Sequence, residues 1–193
     1  FFDMTSIDTT HDDALREVPF AKEDIYNGRI LHVEKWKVTC PNGREAAREI
    51  VVHKGAAAVV PVFENGDTLL VRQHRVAVDR VTLEIPAGKL DSVSEDPLDC
   101  ATRELREETG IEADEADFHL VRSFREHSTF SDVYFLFHDI PLSALHLQPG
   151  ETTEARWVSK AGLEALVASG EVAQPDVRRL RQLRDEFRKI WNA

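Results

Sequence analysis

Residues 96–111 contain both a helix start and a helix stop, and this limits what the rest of the chain can fold into. Asp96 suits the capping position, Pro97 the first turn, and Gly110 the residue just past the last turn. The spacing therefore predicts a helix over about residues 97–109. Its packing side is expected to consist of Leu98, Ala101, Thr102 and Leu105.

The opposite side of this helix is crowded with negative charge. Glu104 lies three residues before Glu107 and four before Glu108, so the three carboxylates share one helical surface. Like charges at this spacing cost roughly 0.2–0.5 kcal/mol per pair, and a bound cation would reverse the sign. Mg²⁺ binds few carboxylates together with waters and substrate phosphates, which suits an acidic face open to solvent. A simply solvated acidic surface is the alternative.

The residues around the helix favour the metal site. From Gly88 to Ile111 the chain reads Gly, six residues, Glu, seven residues, then Arg-Glu-Leu-Arg-Glu-Glu-Thr-Gly-Ile. This pattern resembles the signature box of the Nudix hydrolases, which has five residues in its first gap. Because the extra residue lies between Lys89 and Ser94, we expect a bulged loop before Glu95 and an unchanged helix register.

The resemblance covers about residues 28–170 and is closest to the branch that hydrolyses ADP-ribose and nucleoside diphosphate sugars. Residues 55–75 look like that branch's strand pair, and residues 84–91 read Glu-Ile-Pro-Ala-Gly-Lys-Leu-Asp. Residues 42–51 match its upstream hairpin and Arg-Glu segment. Residues 127–129 depart from the branch, with His-Ser-Thr in place of Ser-Pro-Gly, so other nucleotide sugars stay open.

The resemblance implies an α+β fold, the Nudix α/β/α sandwich with a mixed β-sheet and an N-terminal β subdomain. We expect a loose arm over residues 1–19, the β subdomain over 20–54 and the hydrolase domain over 55–193. Apolar runs and turn residues predict a β unit over 28–52 with a turn at residues 41–43. Further strands are expected at 57–63 and 68–73, joined through Asn65-Gly66, and at 118–125, 133–137 and 157–158. A helix should follow Ser159, and one amphipathic helix should follow Pro175.

The resemblance also assigns a metal centre with Mg²⁺ or Mn²⁺. It makes Glu104 and Glu108 the principal ligands, the Ala87 carbonyl a backbone ligand, and Glu107 a ligand or supporting carboxylate. Arg103 would orient the acidic cluster through a charge-assisted hydrogen bond.

The same branch takes its water-activating base from a loop that precedes the last strand. Glu151 is the first candidate for that base and Glu154 the second, with a solvated acidic loop as the alternative. For the substrate, Arg48 and Arg75 match positions that contact phosphate or the distal sugar, and Glu84 precedes the Pro-Ala-Gly turn.

Trp36 or Tyr26 is a candidate for stacking on the base of the substrate, although an aromatic residue in a strand is more often part of a core. Arginines beside strands also often cover apolar surface, which is the structural alternative for Arg48 and Arg75.

Charge excludes some partners. The chain has 24 basic and 35 acidic residues and a net charge of −11, which argues against binding nucleic acid or a membrane surface. Cys40 and Cys100 lack metal-ligand spacing and fit a reduced, cytoplasmic setting. No long apolar run or leader segment is recognisable, so we expect a soluble protein.

The expected function is metal-dependent hydrolysis of ADP-ribose or a related nucleoside diphosphate sugar to a nucleoside monophosphate and a sugar phosphate. The alternatives are another Nudix substrate, such as GDP-mannose, NADH or a dinucleoside polyphosphate, and a non-catalytic nucleotide-sugar sensor. A homodimer is expected because the branch commonly pairs through its β unit. Apolar surface on a short hairpin also favours pairing, here from Ile30, Val33, Trp36 and Val38.

Overall fold

The computed structural model describes residues 12–28, 31–126 and 129–191. The chain divides into two compact units, one ending at His53 and the other beginning at Lys54. None of the helices in these described ranges is long and apolar enough to cross a membrane.

The first unit is a three-stranded antiparallel sheet in the order β1-β2-β3. Its strands are β1 (Val18–Asn27), β2 (His32–Thr39) and β3 (Glu45–Val52), preceded by a helical turn, α1 (Asp12–Leu15). The expectation of a loose arm as far as residue 19 is therefore wrong at its end, while residues 1–11 lie outside the described part. The predicted turn is confirmed, since the Gly43 amide donates to the Cys40 carbonyl at 2.9 Å.

Exposed apolar surface on this unit lies on a different strand from the one expected. Val38 is buried, and Ile30 lies outside the described residues. Large exposed apolar side chains are instead found on β1, where Phe20, Ile25 and Tyr26 are each about half exposed, and on β3, where Val51 is 46% exposed. Every residue of β1 is exposed. The strand therefore lacks the alternation of apolar and polar residues by which a half-buried strand is recognised in a sequence.

The second unit is built on a mixed sheet in the order β10-β5-β4-β9-β8, in which β4 and β9 are parallel. Two short strands flank this path, with β6 paired to β5 and β7 paired to β4. The sheet's strands are β4 (Ala56–Val62), β5 (Thr68–Arg75), β6 (Arg80–Glu84), β7 (Ala87–Lys89), β8 (Phe118–Glu126), β9 (Thr129–Phe137) and β10 (Thr152–Val158). The predicted hairpin is confirmed by the Phe63 amide, which donates to the Asp67 carbonyl at 2.8 Å.

Helices cover both faces of this sheet. They are α2 (Pro97–Thr109), α3 (Lys160–Ser169), α4 (Gln174–Gln182) and α5 (Arg184–Trp191). The single C-terminal helix that the sequence predicts is interrupted at Leu183, which is itself fully buried. Alternate residues of β4 supply two cores: Ala57 and Val59 pack with α2, and Ala58 and Val60 pack with the C-terminal helices. The expected sandwich of a mixed sheet and helices is confirmed.

Candidate metal and diphosphate site

Helix α2 begins and ends where the sequence predicts. The Asp96 side chain accepts a hydrogen bond from the Leu98 amide at 2.8 Å, and Gly110 closes the helix with a φ of 74°. Ala101 and Leu105 are fully buried against the sheet. The packing side of the helix thus fixes the direction of its acidic side.

Glu108 is buried, whereas the sequence predicted an acidic face open to solvent. Only 4% of the surface of this residue is exposed. Gln73 of β5 donates through Nε2 to Glu108 Oε1 at 2.9 Å, whereas Oε2 meets no hydrogen-bond partner among the described residues. Burial raises the pKa of Glu108 to about 8, and the nearby charges of Glu104 and Glu151 add to the effect. A carboxylate that must stay charged at this position requires a cation.

Glu104 and Glu107 flank this buried carboxylate. Arg103 Nη1 donates to Glu104 Oε1 at 2.6 Å and lies 3.6 Å from Glu107 Oε2. Burial raises the pKa of Glu104 above its ordinary value, although Arg103 opposes the shift. Glu107 is more exposed than Glu104, with 45% of its side chain accessible against 16%. Arg103 therefore orients Glu104, as the resemblance implies.

The turn at Gly88 lies directly against the Glu104 carboxylate. A Cβ atom added to Gly88 would overlap the Glu104 carboxylate, so a larger residue here would displace that side chain. Glycine therefore lets the turn and the Glu104 carboxylate lie in direct contact. This contact places the Ala87-Gly88 backbone beside the acidic face of α2.

The extra residue in the box is absorbed before Glu95, as expected. Val93 is 80% exposed in the loop, and the Asp91 amide donates to the Glu95 side chain. Glu95 Oε1 lies 3.3 Å from Arg103 Nε, so the first glutamate of the box still reaches the arginine.

These residues fit a hard divalent cation. Carboxylate and carbonyl oxygens are the ligands that Mg²⁺ and Mn²⁺ prefer, and Oε2 of Glu108 is an oxygen to which no described residue donates a hydrogen bond. Glu104 and Glu107 of α2 lie beside Arg103. Within the described ranges, only one set of three potential ligands has its atoms within 4.8 Å of one another. It consists of the exposed Asp24 and the partly buried His32 and Glu34 of the first unit.

Arg75 is held by a bidentate pair at the end of β5. Its Nε and Nη2 donate to the two oxygens of Glu84 at 2.8 and 2.5 Å, and Thr82 Oγ1 donates to the same carboxylate at 2.6 Å. Glu84 is buried, and although burial opposes ionisation, the hydrogen bonds from Arg75 and Thr82 hold its pKa below the ordinary value. The charges of Glu108 and Glu151 also act on Arg75. Glu84 thus orients an arginine that stands near the acidic cluster.

The two predicted substrate residues of the first unit have partners of their own. Arg48 Nε donates to Glu17 Oε2 at 3.0 Å. The Trp36 indole N–H donates to Glu34, and the Lys22 ammonium lies 4.0 Å from the centre of its ring. The proposed contacts of Arg48 and Trp36 with substrate stay predictions.

Glu151 and Glu154 occupy different environments. The expectation that both lie in a loop is wrong, because β10 begins at Thr152 and includes Glu154. Glu154 Oε2 accepts from Arg72 Nη1 at 3.0 Å across the β5–β10 pair. Glu151 precedes the strand and is exposed, and its charge contributes to the raised pKa values of Glu104 and Glu108. The structure thus gives Glu154 a structural partner and leaves Glu151 beside the acidic cluster.

The sequence did not predict three supporting hydrogen bonds: from Gln73 to Glu108, from Thr82 to Glu84, and from the Ile85 amide to Asp176. Gln73 is a polar residue near the end of an apolar strand, and in the structure it is almost fully buried. Its place after this apolar run is the feature of the sequence that could have indicated a role in the site. Asp176 follows Pro175 at a helix start and therefore resembles an ordinary first-turn acid.

Comparison with known proteins agrees with this geometry. The family model described as NUDIX domain matches residues 52–180, and the chain belongs to the Nudix family. It is 44% identical over 100 residues to an ADP-ribose pyrophosphatase of Bacillus subtilis (strain 168), covering 52% of this chain and 54% of that protein. It is 40% identical over 93 residues to an ADP-ribose pyrophosphatase of Mycobacterium tuberculosis, covering 48% of this chain and 45% of that protein.

The chain thus spans about half the length of the curated relatives it matches. The fold is also similar to a solved structure described as the crystal structure of ADP compounds hydrolase. The TM-score is 0.71 over 90% of this chain and 95% of that one, at 18% identity. At this identity the likeness supports the fold alone.

Proposed function

We propose that the chain hydrolyses ADP-ribose or a related nucleoside diphosphate sugar. Water would add across one P–O–P link, giving a nucleoside monophosphate and a sugar phosphate. The observation that carries the proposal is the unpartnered, buried Oε2 of Glu108 beside Glu104 and the close-packed turn at Gly88. The pyrophosphatases named above, which share this part of the chain, supply the substrate class.

In this proposal Glu104, Glu108 and the Ala87 carbonyl hold Mg²⁺ or Mn²⁺. Glu107 serves as a further ligand or supporting carboxylate on the exposed flank. When bound, the metal neutralises phosphate charge and makes water more acidic. Arg103 keeps Glu104 in place by its 2.6 Å hydrogen bond.

The remaining steps belong to the chain's own side chains. Glu151 accepts the proton of the attacking water, because its charge acts on Glu104 and Glu108 and no described residue forms an ion pair with it like that of Arg72 with Glu154. Arg75, oriented by Glu84, binds the diphosphate through its remaining N–H groups. From the family resemblance, Arg48 is assigned to a phosphate or the distal sugar, and Trp36 to stacking on the base.

The proposal includes a homodimer in the cytoplasm. Phe20, Ile25 and Tyr26 leave about half their surface exposed on β1, which suits pairing with a second copy. Light scattering should give about twice the chain mass of 21.9 kDa. A mass near that of one chain would overturn the dimer.

A substrate panel tests the activity. ADP-ribose, GDP-mannose, NADH and a dinucleoside polyphosphate would each be incubated with Mg²⁺ or Mn²⁺, and the products identified by mass. We expect metal-stimulated conversion of ADP-ribose to AMP and ribose phosphate. Faster turnover of another compound would reassign the substrate, and binding without turnover of any of them would favour a sensor and overturn the proposal.

A further inference from the structure

The segment that follows α3 binds the strand leading into the proposed metal-binding turn. The Leu83 amide donates to the Glu171 carbonyl at 2.9 Å, and the Ala173 amide donates to the Leu83 carbonyl at 3.0 Å. Leu83 and Val172 therefore form a parallel bridge along β6. This bridge brings the start of α4 alongside residues 83–85.

Asp176 extends the contact by one buried side chain. It is 3% exposed, and its Oδ2 accepts a hydrogen bond from the Ile85 amide at 3.2 Å. Ile85 stands two residues before Ala87, the proposed backbone ligand. On the other side of the turn, the Val59 amide donates to the Pro86 carbonyl at 2.8 Å. The two residues before Ala87 are thus each fixed by one hydrogen bond from a different element.

Asp176 does not cap its own helix. The capping residue of α4 is Ala173, and the Asp176 carboxylate instead accepts hydrogen bonds from the Ile85 amide, between β6 and β7, and from Arg179 Nη1 at 2.9 Å. A buried ion pair is weak evidence for a stabilising role, since a well-packed apolar pair often serves stability as well or better. An apolar pair, however, could not accept a hydrogen bond from the Ile85 amide.

Arg179 links the same pair to the substrate side of the site. Its positive charge is among those that lower the pKa of Glu84, the residue that holds Arg75. The start of α4 therefore contacts the backbone before Ala87 and acts on the carboxylate that orients Arg75.

We propose that Asp176 is a positioning residue that fixes the Ile85 amide and thereby the direction of the Ala87 carbonyl toward the metal. This inference rests on the proposed function. It predicts that removing the acceptor weakens metal binding without removing any metal ligand.

The test compares the binding of Mn²⁺ to the whole chain, followed by the electron paramagnetic resonance of the free ion. Asp176→Ala should raise the dissociation constant roughly tenfold, the scale expected when a group that orients a ligand is lost. It should also speed hydrogen exchange at the Ile85 amide. Asp176→Asn keeps an acceptor oxygen and should restore most of the affinity. If Asp176→Ala does not fold, Asp176→Ser, whose side chain is shorter, replaces it with the same expectation.

Leu180→Ala is the matched control, because Leu180 is buried on the same helix and belongs to the core. It should lower stability and leave Mn²⁺ affinity unchanged. Wild-type affinity in the folded Asp176→Ala protein, or an equal loss in Leu180→Ala, would overturn the positioning role alone. Absence of Mn²⁺ binding by the wild type would overturn the proposed function and this inference together.

Discussion

Two buried carboxylates, Glu108 on α2 and Asp176 on α4, sit on opposite sides of the central sheet and have opposite surroundings. They are 4% and 3% exposed. Asp176 accepts hydrogen bonds from Arg179 and the Ile85 amide, whereas among the described residues Glu108 accepts one from Gln73 and its second oxygen has no partner. Burial raises the pKa of Asp176 to about 6 and that of Glu108 to about 8. An arginine is bound directly to Asp176, whereas Arg75 acts on Glu108 only through its charge.

The largest expected effect is the difference in kcat between variants of these two carboxylates. Glu108→Gln keeps the shape and the bond to Gln73 but removes a charge from the metal, so kcat should fall at least about a hundredfold, more than a supporting residue usually costs. Asp176→Asn should reduce kcat by less than about tenfold. Steady-state kinetics on folded variants measures both. Near wild-type turnover in Glu108→Gln would make the ligand assignment wrong.

A second pair of variants extends the comparison to exposed carboxylates. Glu151→Gln should lower kcat roughly a hundredfold, the usual minimum for loss of a general base. Glu154→Gln weakens its pairs with Arg72 and Arg156, whose side chains are all partly exposed, and should stay within about threefold of wild type. The reverse order of effects would transfer the base to Glu154.

Arg75 should act on substrate binding more than on the chemical step. Arg75→Ala removes a bidentate cation and should raise KM roughly tenfold, as expected for a lost hydrogen bond to a charged group. Arg72→Ala on the same strand is the control, because Arg72 is committed to Glu154. Equal KM changes in the two variants would contradict a phosphate contact by Arg75.

The comparison also predicts how the free energy of unfolding depends on pH when no metal is bound. For Glu108 and Asp176 the pKa in the folded state lies above the ordinary values of 4.5 and 3.8, so the folded state binds more protons than the unfolded state. Stability is therefore full below pH of about 4 and declines as pH rises toward 6 for Asp176 and toward 8 for Glu108. The slope is about 1.4 kcal/mol per pH unit for each titrating group.

Urea unfolding in chelator between pH 5 and pH 8 measures this dependence. Glu108→Gln should remove most of the decline in stability above pH 6 and leave the decline below pH 6 that is due to Asp176. Added Mn²⁺ should stabilise the wild type most near pH 8, where Glu108 is ionised. A wild-type stability that rises from pH 6 to 8 without metal would contradict the burial argument.

The sequence predicted what local chemistry decides. Asp96, Pro97 and Gly110 determine the ends of α2 because a cap involves only neighbouring residues, and the Asn65-Gly66 turn determines its hairpin for the same reason. The spacing of the three glutamates likewise follows from helical geometry alone.

The contacts that define the site join distant residues and could not be predicted in this way. Gln73 and Glu108 are 35 residues apart, and Ile85 and Asp176 are 91 apart. Glu154 lies in a strand because β10 pairs with β5, which no local pattern near residue 154 indicates. Burial of Glu108 follows from the same packing of α2 on the sheet.

The central claim is that Glu108 is a metal ligand that becomes ionised when a divalent cation binds. A calorimetric titration with Mn²⁺ at pH 7 tests this claim most directly. Heats measured in two buffers of different ionisation enthalpy give the number of protons released on binding. With a pKa of about 8 for Glu108, we predict the release of close to one proton in the wild type and almost none in Glu108→Gln, which should also bind Mn²⁺ more weakly. Binding without proton release, or equal release by both proteins, would contradict the account.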